Sequence, residues 1–249
     1  MVVLKTAKQI DGIRKSCQIV AFVLKELYKN IRPGVSTQFL NQMAEDLCFE
    51  KGGVPAFKGY RGFPYAICSS RNEEIVHGFP SLMPLIEGEI LSIDFGVIYK
   101  GWHGDSAFTK AVGKVDYDAD KLIRVTKDSL YSGIKAAVPG NRLGDVGHAV
   151  QSIAEKAGFS VVKEFVGHGI GRELHEEPQV LNYGRPGEGI RIKPGMVIAI
   201  EPMVTQGSDK THTMPDKWTT ITEDHKLAAH WEHTIAILET GPEILTERD

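Results

Sequence analysis

The chain of 249 residues predicts a mixed α/β fold built from two similar halves. Three features carry that expectation. Four segments repeat apolar residues at helical spacing, two in each half. Each helix pair is followed by short apolar runs that read as strands. The order of Pro-Gly, helix, glycine stop and apolar strand then recurs at a nearly constant shift.

The first helix opens at Thr6 and Gln9, a capping-box pair. Ile10, Ile13, Cys17, Val20, Leu24, Leu27 and Ile31 follow on one side of it. A second helix runs from about Ser36, with Leu40, Met43, Leu47 and Cys48 as its stripe, and stops at Gly52–Gly53. Leu122, Val125, Leu130, Ile134 and Ala137 mark a third. After Pro139–Gly140 a fourth carries Val146, Val150, Ile153 and Ala157 and ends at Gly158. The segments RPGVSTQFLNQMAEDLCFEKGG and VPGNRLGDVGHAVQSIAEKAGF thus resemble each other, with Pro33 and Pro139 lying 106 positions apart. The strand segments EGEILSIDFG and KPGMVIAIEP align at a shift of 107, Gly88 with Gly195 and Asp94 with Glu201. A shift held from helix to strand predicts one pseudo-symmetric domain over 1–249, with halves of about 1–113 and 114–249.

Bulk composition excludes several classes. With 42% hydrophobic and 24% charged residues, disorder is not the main reading. A formal net charge of −3 without any basic run argues against nucleic acid as a partner. Cys17, Cys48 and Cys68 are scattered without CxxC spacing, which suggests reduced thiols. No apolar run suits a signal peptide or approaches the roughly 20 residues of a membrane span. The expectation is a soluble, cytoplasmic protein.

The carboxylates carry chemistry. ILSIDFGVIYKGWHGDSAFTKAVG reads as a β-hairpin turning at Lys100–Gly101. Leu91, Ile93, Phe95 and Val97 share one face, and Ser92, Asp94 and Gly96 the other. A two-residue turn sets Tyr99 opposite Trp102 and Asp94 opposite Ala107. Asp105 is then a diagonal neighbour of Asp94, and a one-residue bulge would make them direct partners. Like charges this close repel, so they need a cation or a raised pKa on one of them. That cation is either a metal ion or a nearby Lys or Arg, and the hairpin alone leaves both open. Glu232, in LAAHWEHTIAILETG, heads another apolar strand; by itself it reads as a surface charge. Taken together, Asp94, Asp105, Glu201 and Glu232 lie in or beside apolar strands. With His168 they make a mostly oxygen donor set, too rich in carboxylate for a structural zinc. It suits two divalent ions bridged by carboxylate and water.

KEFVGHGIGRELHEEP, residues 163–178, holds His168 and His175 seven positions apart. A helix would stack them, but Gly167, Gly169 and Gly171 argue against a helix. The stretch is a metal or catalytic site, or else a polar surface loop.

The motifs SIDFG, GDSAFT, GHGIG, HEEP, IEP and EHTI, in this order, resemble the methionine aminopeptidases, in particular the short bacterial type I form. Each is weak alone; six in order over nearly the whole chain are specific. The resemblance implies a pita-bread α/β fold, pseudo-two-fold, with an antiparallel sheet and helices on its outer face. It implies a dinuclear metallo-exopeptidase that excises N-terminal methionine, with a water between two ions attacking the first peptide bond. Asp94, Asp105, His168, Glu201 and Glu232 match the metal ligands, with Asp105 and Glu232 bridging. Glu201 would also move the proton. His77 matches the histidine near the scissile nitrogen, and His175 the one on the scissile carbonyl. Tyr60, Phe63 and Trp218 match the aromatic lining around the methionine side chain. Two positions depart: Phe57 stands where the family often has a small residue, and Leu174 where it often has an aromatic. One ring is added and one removed, so pocket volume is conserved and its shape altered. Implied cofactors are two divalent ions drawn from Co, Mn, Fe or Zn. Implied partners are nascent polypeptide N-termini and short peptides, with ribosome contact, no membrane and a monomeric state. His230 and Trp231 have no counterpart in this reading.

Overall fold

The computed structural model describes residues 2–248. Helix α1 spans Ala7–Asn30. The Thr6 backbone N–H donates to Gln9 Oε1 at 2.8 Å, one arm of the expected capping box. Ile10, Ile13, Cys17, Val20, Leu24 and Leu27 are buried along it. Helix α2, Thr37–Glu50, is capped by Ser36, whose hydroxyl accepts the Phe39 N–H at 3.2 Å. Its stop follows from Gly52, which adopts φ +76°. Helix α3, Tyr117–Ala136, starts where the Asp116 carboxylate accepts the Ala119 N–H at 2.7 Å. Helix α4, Leu143–Lys156, starts where Asp145 accepts the Arg142 N–H at 2.7 Å. The helices that share a pattern, α2 and α4, are both 14 residues long.

Leu122, Leu130, Ile134 and Ala137 of the expected α3 stripe are buried, and the stripe differs at one position. Val125 is half-buried, whereas Thr126, Ser129 and Gly133 are buried. Both hydroxyls are satisfied inside the helix, Thr126 on the Leu122 carbonyl and Ser129 on the Thr126 carbonyl. A Cβ on Gly133 would stand 2.7 Å from Val150 of α4. Small residues let the two helices approach, so size rather than polarity chose this face. On α4 likewise Ala154 is buried and Ile153 half-buried.

Every strand pair is antiparallel. Strands Ile90–Tyr99 and Trp102–Ala111 form the expected hairpin, flanked by Ile67–Arg71 and Val54–Pro55. Its register is continuous from Ile90–Ala111 to Tyr99–Trp102, with Asp94 opposite Ala107 and Gly96 opposite Asp105. No bulge intervenes, so the two aspartates are diagonal neighbours. A five-stranded ladder runs Gly241–Ile244, His233–Leu238, Val197–Ile200, Gly167–Gly169, Glu176–Val180. Two three-stranded ladders complete the fold. One joins Ala228–His230, Met203–Thr205 and Ser160–Val161, the other Thr211–Thr213, Thr220–Thr222 and Glu74–Val76.

The ladders change partners at the acidic residues. Glu201 and Pro202 separate Val197–Ile200 from Met203–Thr205. Trp231 and Glu232 separate Ala228–His230 from His233–Leu238. Glu232 N–H instead reaches across to the Ala107 carbonyl of the hairpin at 3.0 Å. One core cluster joins all four helices to the hairpin and the five-stranded ladder, including Leu24, Leu40, Phe95, Leu130, Val150, Ile198 and Ile235. No described helix is long and apolar enough to cross a membrane.

Candidate active site

A pocket of about 200 Å³ opens between the hairpin and the second-half ladders. Asp94, Asp105, His168, Glu201 and Glu232 all line it, the first three from three strands and the two glutamates from the breaks between strands. One donor atom each from Asp105, His168 and Glu232 lies within 4.8 Å of the others. His168 Nε2 stands 3.5 Å from Glu201 Oε1. The ring is oriented by its other nitrogen, whose N–H donates to the Gly169 carbonyl at 2.9 Å. That leaves the Nε2 lone pair free for a cation.

The three glycines of GHGIG serve close approach. A Cβ on Gly167 would meet the Ala199 carbonyl oxygen at 2.3 Å, and one on Gly169 the Glu177 carbonyl oxygen at 2.3 Å. None of the three lies in the left-handed region. Gly167–Gly169 is a central strand pressed between two neighbours, with His168 as its one side chain, and Ile170 follows it into the core.

Neighbouring backbones are pinned to each other. Thr234 Oγ donates to the Asp105 carbonyl at 2.7 Å, and Ser106 Oγ to the Glu232 carbonyl at 2.5 Å. Arg248 donates to both Ser106 Oγ, at 2.7 Å, and the Ala107 carbonyl, at 3.1 Å. Asp105 and Glu232, placed on the two crossing segments, are therefore held in one geometry.

The protein alone does not neutralise this cluster. Burial pushes the Asp94 carboxyl up to about 7. Burial, then the neighbouring carboxylates, push Asp105, Glu201 and Glu232 well above the usual range. Asp94 Oδ1, Asp105 Oδ1 and Glu232 Oε1 are buried without a hydrogen-bond partner. Buried carboxylate oxygens without partners are costly unless a proton or a cation meets them, and four neighbouring carboxyls together favour a cation. Burial lowers His168 to about 4, which keeps it a neutral donor at physiological pH. The donor set fits divalent cations.

The remaining residues singled out in the sequence also converge here. Phe57, Tyr60, Phe63, His77, Leu174, His175 and Trp218 line the same pocket. Phe63 packs edge-on to Trp218 with ring centroids 5.2 Å apart. The Phe57 ring lies over Gly96, where a Cβ would come within 2.7 Å of it. His77 sits at φ +60°, a left-handed conformation uncommon for a non-glycine residue. Its ring packs edge-on to Phe165 and Trp218. His175 Nδ1 is hydrogen-bonded to the Tyr60 hydroxyl at 2.9 Å, and its ring centroid is 4.3 Å from that of His168. Burial, with His168 beside it, lowers the His175 pKa, so the ring is neutral.

Sequence reasoning missed part of the wall. Cys68, Val76, Phe165, Met203 and His230 also line it. Cys68 is the cross-strand partner of Asp94, but only the pairing of Ile67–Arg71 with the hairpin reveals this. His230, 2% exposed, is the more consequential omission. Its backbone N–H and carbonyl are both bonded to Thr109 Oγ, at 2.9 Å each. Its Nε2 is buried without a partner, 3.7 Å from Glu201 Oε2.

An antiparallel α/β domain with a buried, cation-seeking carboxylate pocket is the architecture of a metallopeptidase. The sequence profile described as Metallopeptidase family M24 matches residues 11–239. Methionine aminopeptidase 1 of Bacillus subtilis (strain 168) is 51% identical over 246 residues, covering 99% of both chains. The crystal structure of methionine aminopeptidase from Thermotoga maritima superposes with a TM-score of 0.98 at 44% identity over 100% of both chains. The prolidase of Pyrococcus horikoshii OT3 shares the fold alone, with a TM-score of 0.80 at 23% identity over 65% of its own length. The chain belongs to metallopeptidase family M24 and, within it, to the methionine aminopeptidases.

Proposed function

We propose that this chain is a cytoplasmic, monomeric aminopeptidase that removes the N-terminal methionine from new polypeptides, with ribosome contact, and from short peptides. In this reading Asp94, Asp105, His168, Glu201 and Glu232 hold two divalent ions, and residues of about 1–113 and 114–249 form related halves of one catalytic domain. The observation that carries it is the set of buried, partnerless oxygens on Asp94, Asp105 and Glu232. One imidazole among four carboxylates accepts Mn, Fe, Co or Zn. Such a metal pair, when bound, supplies Lewis-acid polarisation and an acidified water.

The chain's own groups do the rest. Glu201 takes the proton of the attacking water and delivers it to the leaving amine. With Nδ1 bonded to the Tyr60 hydroxyl, His175 turns Nε2 to the carbonyl oxygen, and as the Nε2–H tautomer it donates there as negative charge develops. His77 faces the scissile nitrogen. Phe57, Phe63, Leu174 and Trp218 form a largely apolar slot for the methionine side chain, and Tyr60 closes its edge. The carboxylate cluster receives the free α-amino group and so limits cleavage to one residue.

The decisive experiment is hydrolysis of a Met-Ala-Ser peptide before chelation, after it, and after metal is returned. Methionine release that stops on chelation and resumes with Mn or Co supports the reading. Release indifferent to chelation removes the metal assignment. Binding without any release, metal present, leaves a peptide-binding module in its place.

A further inference from the structure

The loop between the strands Gly167–Gly169 and Glu176–Val180 carries Leu174 and His175 into the pocket, yet it has no helix or sheet of its own. One carboxylate organises it. Glu176 Oε1 accepts the backbone N–H groups of Arg172, at 2.7 Å, and Glu173, at 3.3 Å. Glu176 Oε2 meets Lys5 Nζ at 2.5 Å. Lys5 comes from the segment ahead of α1 and is 7% exposed. Its own backbone N–H is fixed on the Gly195 carbonyl at 2.7 Å, and its Nζ also reaches the Val3 carbonyl at 3.1 Å. The fit is tight: a Cβ on Gly171 would stand 2.6 Å from Glu176 Oε1 and 2.8 Å from Lys5 Cε. Burial pushes the Glu176 carboxyl up, but the Lys5 ammonium and the two backbone donors outweigh it, and the net shift is downward. The other side of the loop is clamped by Arg172. Its guanidinium lies 3.8 Å over the Trp102 ring and donates to the Gly101 carbonyl at 3.0 Å.

The geometry points to Lys5 and Glu176 as positioning residues that set the placement of Leu174 and His175 against the substrate. This inference rests on the proposed roles of those two pocket residues. Neither Lys5 nor Glu176 lines the pocket, so both act through the loop alone. The ammonium fixes one carboxylate oxygen, the second oxygen closes the turn, and the turn aims one apolar and one hydrogen-bonding side chain. Displacing that turn misplaces the group on the carbonyl and reshapes the slot for the first side chain together.

Three variants test it: Lys5→Met, Glu176→Gln and Lys5→Arg. Lys5→Met keeps the apolar stem over Gly171 but removes the charge. Glu176→Gln keeps an acceptor for the two backbone donors but loses the ion pair, and so guards against a Lys5→Met chain that does not fold. Both are measured on metal-loaded protein well below the melting temperature. The expected result is a loss of kcat/KM on Met-Ala-Ser of about tenfold or more, a changed ratio of Met to Leu cleavage, and unchanged metal affinity by calorimetry. Lys5→Arg restores wild-type values. A lower melting temperature with wild-type kcat/KM and an unchanged Met/Leu ratio overturns the inference, because the pair is then merely structural. His175→Ala separates this from the underlying reading: if that variant turns over normally, the proposed role of His175 fails, whatever Lys5 and Glu176 do.

Discussion

Asp94 shows what a single residue costs the metal-free protein. Its carboxyl is raised to about 7 by burial, against 3.8 as its ordinary value. A raised acid binds its proton more tightly when folded. Its contribution is present below the unfolded value and is lost as pH rises through about 7. Chelated wild-type protein is therefore expected to melt lower at about pH 8 than at about pH 5. Asp94→Asn reduces that dependence without removing it, because Asp105, Glu201 and Glu232 are raised in the same direction, and it abolishes peptide turnover; thermal melts of both proteins at the two pH values check the first point. His230 gives a second expectation at this scale. Its unpartnered Nε2 near Glu201 makes it a support for that carboxylate, so His230→Leu weakens metal affinity by about 10- to 100-fold, with His230→Gln milder. Metal titration calorimetry reads the difference, and equal affinities in all three proteins would remove the role. Asp94 and Asp105 were legible in the sequence because alternation along one hairpin is local information. His230 was not, because the pairing of Ala228–His230 with Met203–Thr205 brings it beside Glu201.

Among the elements, helix α1 lies with its backbone against the strand that bears Asp105. A Cβ on Gly104 would stand 2.7 Å from the Cys17 backbone nitrogen and 2.9 Å from its sulfur. Gly104→Ala must push the helix off the strand one residue from a proposed metal ligand. The expected cost is about 1–3 kcal/mol in urea unfolding, with weakened metal binding beside it. Wild-type stability would mean that the helix shifts freely. The caps and glycine stops of the helices were readable because they are fixed by neighbours in sequence. The apolar part of the α3 face was readable as well, but the burial of Gly133 was not, because it is set by the closeness of α4. The GHGIG glycines were ambiguous. From the sequence they fitted a metal or catalytic site or a polar surface loop, and the flanking carbonyls of Ala199 and Glu177 show that there is no room for a side chain.

At the scale of the whole molecule, the pocket gathers residues from segments far apart in the chain. Asp94, Asp105 and Phe57 come from its N-terminal part, and His168, Leu174, Glu201 and Glu232 from its C-terminal part. Phe57 is 7% exposed over Gly96, and Leu174 is 2% exposed in the same apolar cluster. Each of Phe57→Cys and Leu174→Phe alone is expected to lower the preference for Met-Ala-Ser over Leu-Ala-Ser. The double variant should recover part of it, because added and removed volume compensate. Additive losses in kcat/KM would show that the two positions do not share the slot, and equal rates on both peptides in wild type would sink the methionine preference. By itself the sequence determined the four helices, the hairpin and its turn, and the family, since each is written in local spacing or in an ordered set of motifs. The tertiary structure alone decided that Asp94, Asp105, His168, Glu201 and Glu232 line one pocket, that oxygens of Asp94, Asp105 and Glu232 lack partners, that His230 lines the same wall, and that Lys5 is locked to Glu176. These depend on contacts between segments far apart in the chain, which no local pattern encodes.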